Sequence, residues 1–337
     1  MSANYKKPTL PNIQYEKVVN QIPDLTGKTI AITGTTSGTG YSAARTMAEK
    51  GARILLLNRP SSRSAAARSA LEAAVPGAEF IPVDCDLQSF DSVRQAGKKV
   101  LSLVPEGLDV LCNNAGVMAL EDKATEDGFD VQMQTNHLSH FLLTKILYPA
   151  MEKAVELRGE ARIVNHSSVA RFGKKLEAKY LEPNGGNLGG NGASMIFQGA
   201  RWVRYQQSKL ANAAYTAALH EKLQHSQPKI KAAVAHPGLS ATSLQDTTVG
   251  DGGMGSWFTG LMMKIGGQSQ DDGALGIIKG MAATETQSGD FIGPGSGRGS
   301  SKGEVVHFPL EDLYDNPETK ELLWSKSEAA IGESFTL

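Results

Sequence analysis

The chain has 337 residues, of which 40% are hydrophobic and 20% charged, an ordinary globular balance with enough apolar material for a sizeable core. Lys and Arg number 34 against 35 acidic residues, so no basic block marks a nucleic-acid partner. Two cysteines, Cys85 and Cys112, cannot form a disulfide framework, and neither they nor the seven histidines show metal-ligand spacing. No apolar run is long enough to span a bilayer and no signal-like segment opens the chain, which is therefore expected to be cytoplasmic.

Residues 1–26 read as an N-terminal extension. From Gly27 onward, short β-branched runs alternate with longer helix-like stretches, the pattern of a parallel sheet. The predicted strands are Thr29–Thr33, Arg53–Asn58, Glu79–Val83, Asp109–Asn113, Arg162–His166, Lys231–Ala235 and a weaker Asp290–Ile292. Most are unbroken apolar runs, as expected of strands covered on both faces. Helices are predicted near 40–50, 62–74, 89–103, 127–153, 203–225 and 271–284, so the expected fold is a doubly wound, Rossmann-like α/β domain of about seven strands, over 27–310. Residues 293–303 read as a flexible connection to a C-terminal helical tail, 311–337, whose helix starts at Asn316-Pro317.

Between the first strand and first helix lies Thr33-Gly34-Thr35-Thr36-Ser37-Gly38-Thr39-Gly40. Its position suits a turn that cradles a dinucleotide pyrophosphate at a helix N-terminus. At the end of the second strand, where an acid would hold the ribose hydroxyl of NAD, stands Asn58-Arg59. Arg59 is either a fork for the 2′-phosphate of NADP(H) or a solvated loop cation, and NADP(H) is favoured over NAD(H). Tyr41, where a cation near the phosphates is common, counts slightly against that preference.

Tyr205 and Lys209 lie four apart on one helical face, where an ammonium can lower a phenol pKa toward neutral acid–base work. Alone such a pair is a common surface accident. Ser167-Ser168 ends the fifth strand, either turning the chain or offering a hydroxyl beside Tyr205. Asn136 lies within a predicted helix, and Asn113-Asn114-Ala115-Gly116 ends the fourth strand; each has a purely structural reading as well as a functional one. His137, His140, His166 and His236 read as structural residues.

In that order and context, these motifs, with Asp86-Leu87 and His236-Pro237-Gly238, resemble the short-chain dehydrogenase/reductase family over roughly residues 24–293. The wording around Asn136, Ser168 and Tyr205 is most similar to its retinol-dehydrogenase-like branch. The resemblance implies Tyr205 as general acid/base, Lys209 as the group that lowers its pKa and contacts the nicotinamide ribose, Ser168 (or Ser167, if the strand ends a residue earlier) polarising the carbonyl, and Asn136 holding a relay water. It implies a cofactor cradle of Gly34, Thr36, Ser37, Gly38, Thr39, Gly40, Arg59, Asp86, Leu87, Asn114, Ala115, Gly116, Pro237, Gly238 and Thr242.

The expected activity is NADP(H)-linked interconversion of a carbonyl and an alcohol on a small hydrophobic substrate, with homodimer formation open. A light-dependent protochlorophyllide-type reductase and a non-catalytic dinucleotide sensor or scaffold stand as alternatives. The first normally has alanine where Gly116 stands, and the second commonly loses the tyrosine or the lysine. Segment 173–202, Gly-rich from Asn184 to Gly192, is either a substrate lid or a surface insertion. Segment 246–270 falls where the family keeps its substrate flap. There Trp257, Phe258, Leu261, Met262 and Ile265 form one apolar helical face, for substrate, partner, membrane or ordinary packing.

Overall fold

The computed structural model describes residues 8–193, 198–296 and 300–337. Eight strands form one sheet: β1 (Thr29–Thr33), β2 (Arg53–Asn58), β3 (Phe80–Asp84), β4 (Val110–Asn113), β5 (Ala161–His166), β6 (Ile230–Ala235), β7 (Phe291–Ser296) and β8 (Lys302–Phe308). Their order is β3-β2-β1-β4-β5-β6-β7-β8, parallel throughout except for β8, which is antiparallel to β7. The order reverses between β1 and β4, the switch point where this topology opens a crevice at the strand C-termini.

Unbroken apolar strands serve two cores because successive side chains point to opposite faces. Leu55 and Leu57 of β2 join Leu111, Ile163 and Val234 on one face, under α4 (Phe90–Leu103), α6 (Ser139–Arg158) and α7 (Ala200–Ser226). Ile54 and Leu56 join Ile30, Ile32 and Val164 on the other, under α2 (Gly38–Glu49) and α10 (Gln270–Ala282). The remaining helices are α1 (Tyr15–Val19), α3 (Ser62–Ala74), α5 (Val131–Met133), α8 (Ser243–Gly250), α9 (Ser256–Gly266) and α11 (Pro317–Ile331).

The structure departs from the sequence expectations in three places. The N-terminal segment is built into the domain: Tyr15, Val18, Val19, Ile22 and Leu25 are buried, and the N–H groups of Ile13, Gln14 and Tyr15 donate to the Asp272 carboxylate at 2.8–3.0 Å. Second, the segment expected to be a flexible connection belongs in part to a hairpin. Ile292 pairs with His307 and Gly293 with Val306, so the sheet has eight strands rather than about seven. Third, the long helix predicted over 127–153 is broken. Asp130 caps α5 by accepting from Gln132 and Met133 N–H, and a π-helical turn, Gln134–Leu138, precedes α6. Such wide turns interrupt the regular ladder and recur at functional sites. The C-terminal helix starts as the sequence suggested, with Asn316 accepting from Thr319 N–H and Pro317 in the first turn. Trp324 of that helix packs edge-on against Phe141, closing the first core.

Candidate active site

β1 runs straight into the glycine turn, and sterics set its residue types. Gly34 and Gly38 have φ of 73° and 64°, which side chains with a Cβ rarely adopt. A Cβ on Gly34 would lie 2.8 Å from Ala115 Cα, and one on Gly40 would collide with the Asn114 amide and the Gly34 carbonyl. The two strand-end turns are thus in van der Waals contact. They are also stitched together: Asn114 Nδ2 donates to Thr33 O at 2.9 Å, and the N–H groups of Asn114 and Ala115 both donate to Thr33 Oγ1 at 3.0 Å.

The start of α2 faces the crevice. Gly38 N–H meets Gln270 Oε1 at 3.1 Å, and Ser37 makes no side-chain cap. Tight glycines beneath a helix N-terminus fit a dinucleotide pyrophosphate. Asn58 is buried and holds the turn rather than a ligand, accepting from Thr35 N–H and donating to Thr35 Oγ1, both at 2.8 Å. Arg59 is exposed beside it. Sequence reasoning missed Arg63, in the first turn of α3, whose Nη2 donates to Ser37 Oγ at 2.6 Å. Its one available signal was its place, four residues after Arg59 at a helix start.

Around the crevice, Asp86 Oδ1 accepts from Gln88 N–H and the Leu87 carbonyl accepts from Ser139, so both are fixed at the end of β3. The Pro237 carbonyl accepts from Ser240 and Gln268. Gly238 (φ 60°) lies against the β7–β8 hairpin, where a Cβ would sit 2.7 Å from Pro294. Thr242 caps α8 and lies against Gly38, whose Cβ would be 3.2 Å from its own. Thr36 and Thr39 complete the turn, Thr39 donating to Asn114 Oδ1 at 2.9 Å.

Tyr205 and Lys209 lie on the second and third turns of α7, beside the end of β5, and both are buried. Ser168 Oγ accepts from Ala170 N–H at 3.1 Å, and its hydroxyl acts to lower the pKa of the neighbouring Tyr205 phenol. Ser167 Oγ donates to the Lys209 carbonyl at 2.7 Å. Lys209 Nζ donates to the His166 carbonyl at 2.9 Å and lies 6.0 Å from the Tyr205 ring centroid. Burial pushes the Tyr205 phenol up to about 12, against the effect of the Ser168 hydroxyl, and holds Lys209 down to about 7. A Cβ on Gly116 would lie 3.1 Å from Asn136 Oδ1 and 3.2 Å from Lys209 Nζ, so glycine lets the fourth-strand turn reach the tyrosine–lysine pair. Both amide hydrogens of Asn136 are committed, to Val117 O and Ser208 Oγ, and Oδ1 accepts from Val117 N–H at 2.8 Å.

Beyond Tyr205 lies an apolar end formed by Met118, Ala119 and Trp202, with Ala170, Leu244 and Met254 packed against it. Trp202 meets Tyr205 edge-on at 5.9 Å and donates from Nε1 to Gly253 O. The Gly-rich insertion is held by buried ions. Arg204 Nε lies 3.1 Å from Asp130 Oδ2, and its Nη1 and Nη2 donate to the carbonyls of Gly190 and Leu120. Asp122 accepts from Leu188 and Gly190 N–H, and Arg201 pairs with Asp251 at 2.7 Å. On α9, Trp257, Leu261 and Ile265 are exposed in one stripe while Met263 is buried; the side chain of Phe258 lies outside the described residues. Among the described residues no cluster of His, Cys, Asp or Glu could hold a metal, and no helix is long and apolar enough to cross a membrane.

This architecture and cradle have counterparts among known proteins. The short chain dehydrogenase family model matches residues 28–180. An uncharacterized oxidoreductase of Schizosaccharomyces pombe is 34% identical over 67% of this chain and 64% of its own length. Retinol dehydrogenase 13 of Homo sapiens is 32% identical over 65% of this chain and 60% of its own length. The chain thus spans just under two thirds of the length of these curated relatives. The crystal structure of an uncharacterized protein from Mycobacterium paratuberculosis superposes with a TM-score of 0.71 at 28% identity, covering 95% of this chain and 98% of that one. The chain belongs to the short-chain dehydrogenase/reductase family of oxidoreductases, with retinol dehydrogenases among its curated relatives.

Proposed function

We propose that the protein is an NADP(H)-dependent reductase or dehydrogenase that interconverts a carbonyl and an alcohol on a small hydrophobic substrate. The observation that carries this reading is the convergence of Ser168, Tyr205 and Lys209 beside a glycine turn suited to pyrophosphate. The nicotinamide supplies or accepts the hydride when bound. In the reducing direction the Tyr205 phenol gives its proton to the carbonyl oxygen, while the Ser168 hydroxyl hydrogen-bonds that oxygen. Lys209 stabilises the phenolate left behind. Burial pushes the phenol up to about 12 in the ligand-free site, opposite to the lowering expected of a neighbouring ammonium, so the reading requires the bound cofactor and substrate to bring it down. Hydrophobic substrates are favoured by the Met118, Trp202 and Met254 surround.

Arg63, which donates to Ser37, and the exposed Arg59 at the end of β2 supply cationic forks suited to a 2′-phosphate, which favours NADP(H). Consumption of NADPH and of NADH over a panel of hydrophobic ketones, aldehydes and quinones tests the reading. NADPH-linked turnover is expected. The Tyr205→Phe variant is expected to lose at least about 100-fold in kcat while binding NADPH as the parent does. A variant that reduces carbonyls at the parental rate rules the mechanism out.

A further inference from the structure

We propose that His140 is a positioning residue that locks the cofactor turn to the proton-handling end of the site; this rests on the function proposed above. His140 is 2% exposed and lies on the first turn of α6, just after the π-helical turn that carries Asn136. Its two ring nitrogens meet one group from each end of the crevice: Nδ1 lies 3.0 Å from the Asn136 carbonyl, and Nε2 lies 2.9 Å from Thr33 Oγ1.

The chemistry of the partners fixes the tautomer. A carbonyl only accepts, so the Asn136 contact requires a proton on Nδ1. In a neutral ring Nε2 is then a lone pair. The Thr33 hydroxyl has one proton and two acceptors in reach, and we assign it to Nε2 at 2.9 Å rather than to the Cys112 carbonyl at 3.4 Å. Its oxygen lone pairs are left for the N–H groups of Asn114 and Ala115, both at 3.0 Å. Burial holds the imidazole neutral, with Lys209 contributing in the same direction. Every hydrogen bond in the chain thus has one direction: Asn114 and Ala115 N–H to Thr33, Thr33 O–H to His140, His140 N–H to Asn136.

The positional consequence follows from Gly116. It is the next residue after Ala115, and a Cβ added to it would meet Asn136 Oδ1 and Lys209 Nζ at 3.1 and 3.2 Å. A shift of the Asn114–Gly116 turn therefore displaces the surroundings of the ammonium. His140 fixes that turn from one side through Thr33 and fixes the Asn136 backbone from the other. It touches neither the tyrosine phenol nor the glycines of the pyrophosphate turn. Loss of His140 should reduce turnover by more than it weakens cofactor binding, because the turn keeps its other bonds to Thr33.

Two variants and one spectrum test this. His140→Leu keeps bulk and removes both hydrogen bonds, whereas the amide of His140→Gln can donate to Asn136 and accept from Thr33. His140→Leu is expected to lose about 10- to 100-fold in kcat, as small misplacements of catalytic groups do. NADPH affinity should fall by less than kcat does, and His140→Gln should recover most of the rate. Parental kcat in His140→Leu overturns the proposal, and equal loss in both variants assigns the effect to ring packing instead. Independently of turnover, heteronuclear NMR of isotope-labelled histidine, with the His140 signal identified by its absence in His140→Gln, should show a neutral ring protonated on Nδ1. A ring protonated on Nε2 overturns the proposal even if the enzyme is active. A parent that binds NADPH but reduces nothing counts against the proposed function, while the spectrum still decides the role of His140.

Discussion

The two ends of the crevice are built by different physics. The cofactor end is assembled from glycines, short hydroxyls and amides, with the Gly34–Gly40 turn pressed against Asn114 and Ala115. Nearly all of its bonds are neutral, and what it cannot tolerate is an added atom. The substrate end is assembled from long charged side chains. Arg201 and Arg204 reach from the start of α7 to Asp251, Asp130 and Asp122, gathering the Gly-rich insertion and the α8–α9 segment around Tyr205. What this end cannot tolerate is an unpaired charge. A family can reuse the first solution unchanged, since it depends on backbone geometry, whereas the second depends on which ions a given chain carries.

The largest expected effect is at the ionic end. Arg204 is fully buried, and removing it as Arg204→Met strands the Asp130 carboxylate, so stability should fall by about 3–5 kcal/mol. The double variant Arg204→Met/Asp130→Asn removes the close pair while keeping the acceptor that caps α5, and should recover part of that loss in urea unfolding, with Asp122 still unpaired. No recovery would mean that the carbonyl bonds to Gly190 and Leu120, rather than the ion pair, hold the insertion. Next comes Gly40→Ala at the steric end. The methyl collides with the Asn114 amide and Gly34, so the turn must open, costing roughly 1–3 kcal/mol and weakening NADPH binding far more than it changes the fold. If Gly40→Ala binds NADPH like the parent, the two strand-end turns are not in the contact described.

How much of this could be read from the sequence follows the same division. The parallel strands β1–β6, the glycine turn and the tyrosine–lysine pair were legible because periodicity and glycine placement are local signals. Residues 15–25 were misjudged as an extension because their apolar positions have no meaning until α2 and α10 supply a surface. β8 was missed because its pairing with β7 is a tertiary fact and its own pattern is mostly polar. Arg204, one place before the tyrosine, has no local signal of its role; only the fold brings Asp130 and the insertion around it. The four histidines read as structural are indeed buried, and the sequence had no means of showing that one of them links both ends of the site.

Those histidines give a prediction about the whole molecule. Burial holds His137, His166 and His236 down to about 3 and His140 to about 4, from an ordinary value of 6.5. Each is depressed in the fold, so its contribution to stability is complete above pH 6.5. It is lost as pH falls toward the folded values, because only the unfolded chain takes up the proton. The melting temperature should therefore fall steeply between about pH 6 and 4, and His140→Gln should make that fall shallower. An equal slope in parent and variant would mean that His140 is protonated in the fold and would sever the link between the two ends.

The smallest expected effect concerns the one place where the cofactor end does use charge. Arg63 is exposed, and its bond to Ser37 leaves most of its guanidinium free, so Arg63→Ala should not alter stability measurably. It should instead weaken NADPH by about tenfold, on the scale of one charge-assisted hydrogen bond, with NADH affinity unchanged. Arg59→Ala should act in the same direction. If the two losses add when combined, each cation meets the 2′-phosphate separately; if the double variant is no worse than either single one, they act as a single fork. A variant that loses NADPH and NADH equally would place Arg63 on the pyrophosphate instead, through the Ser37 turn, and the cofactor end would then resemble the substrate end in depending on a long charged side chain.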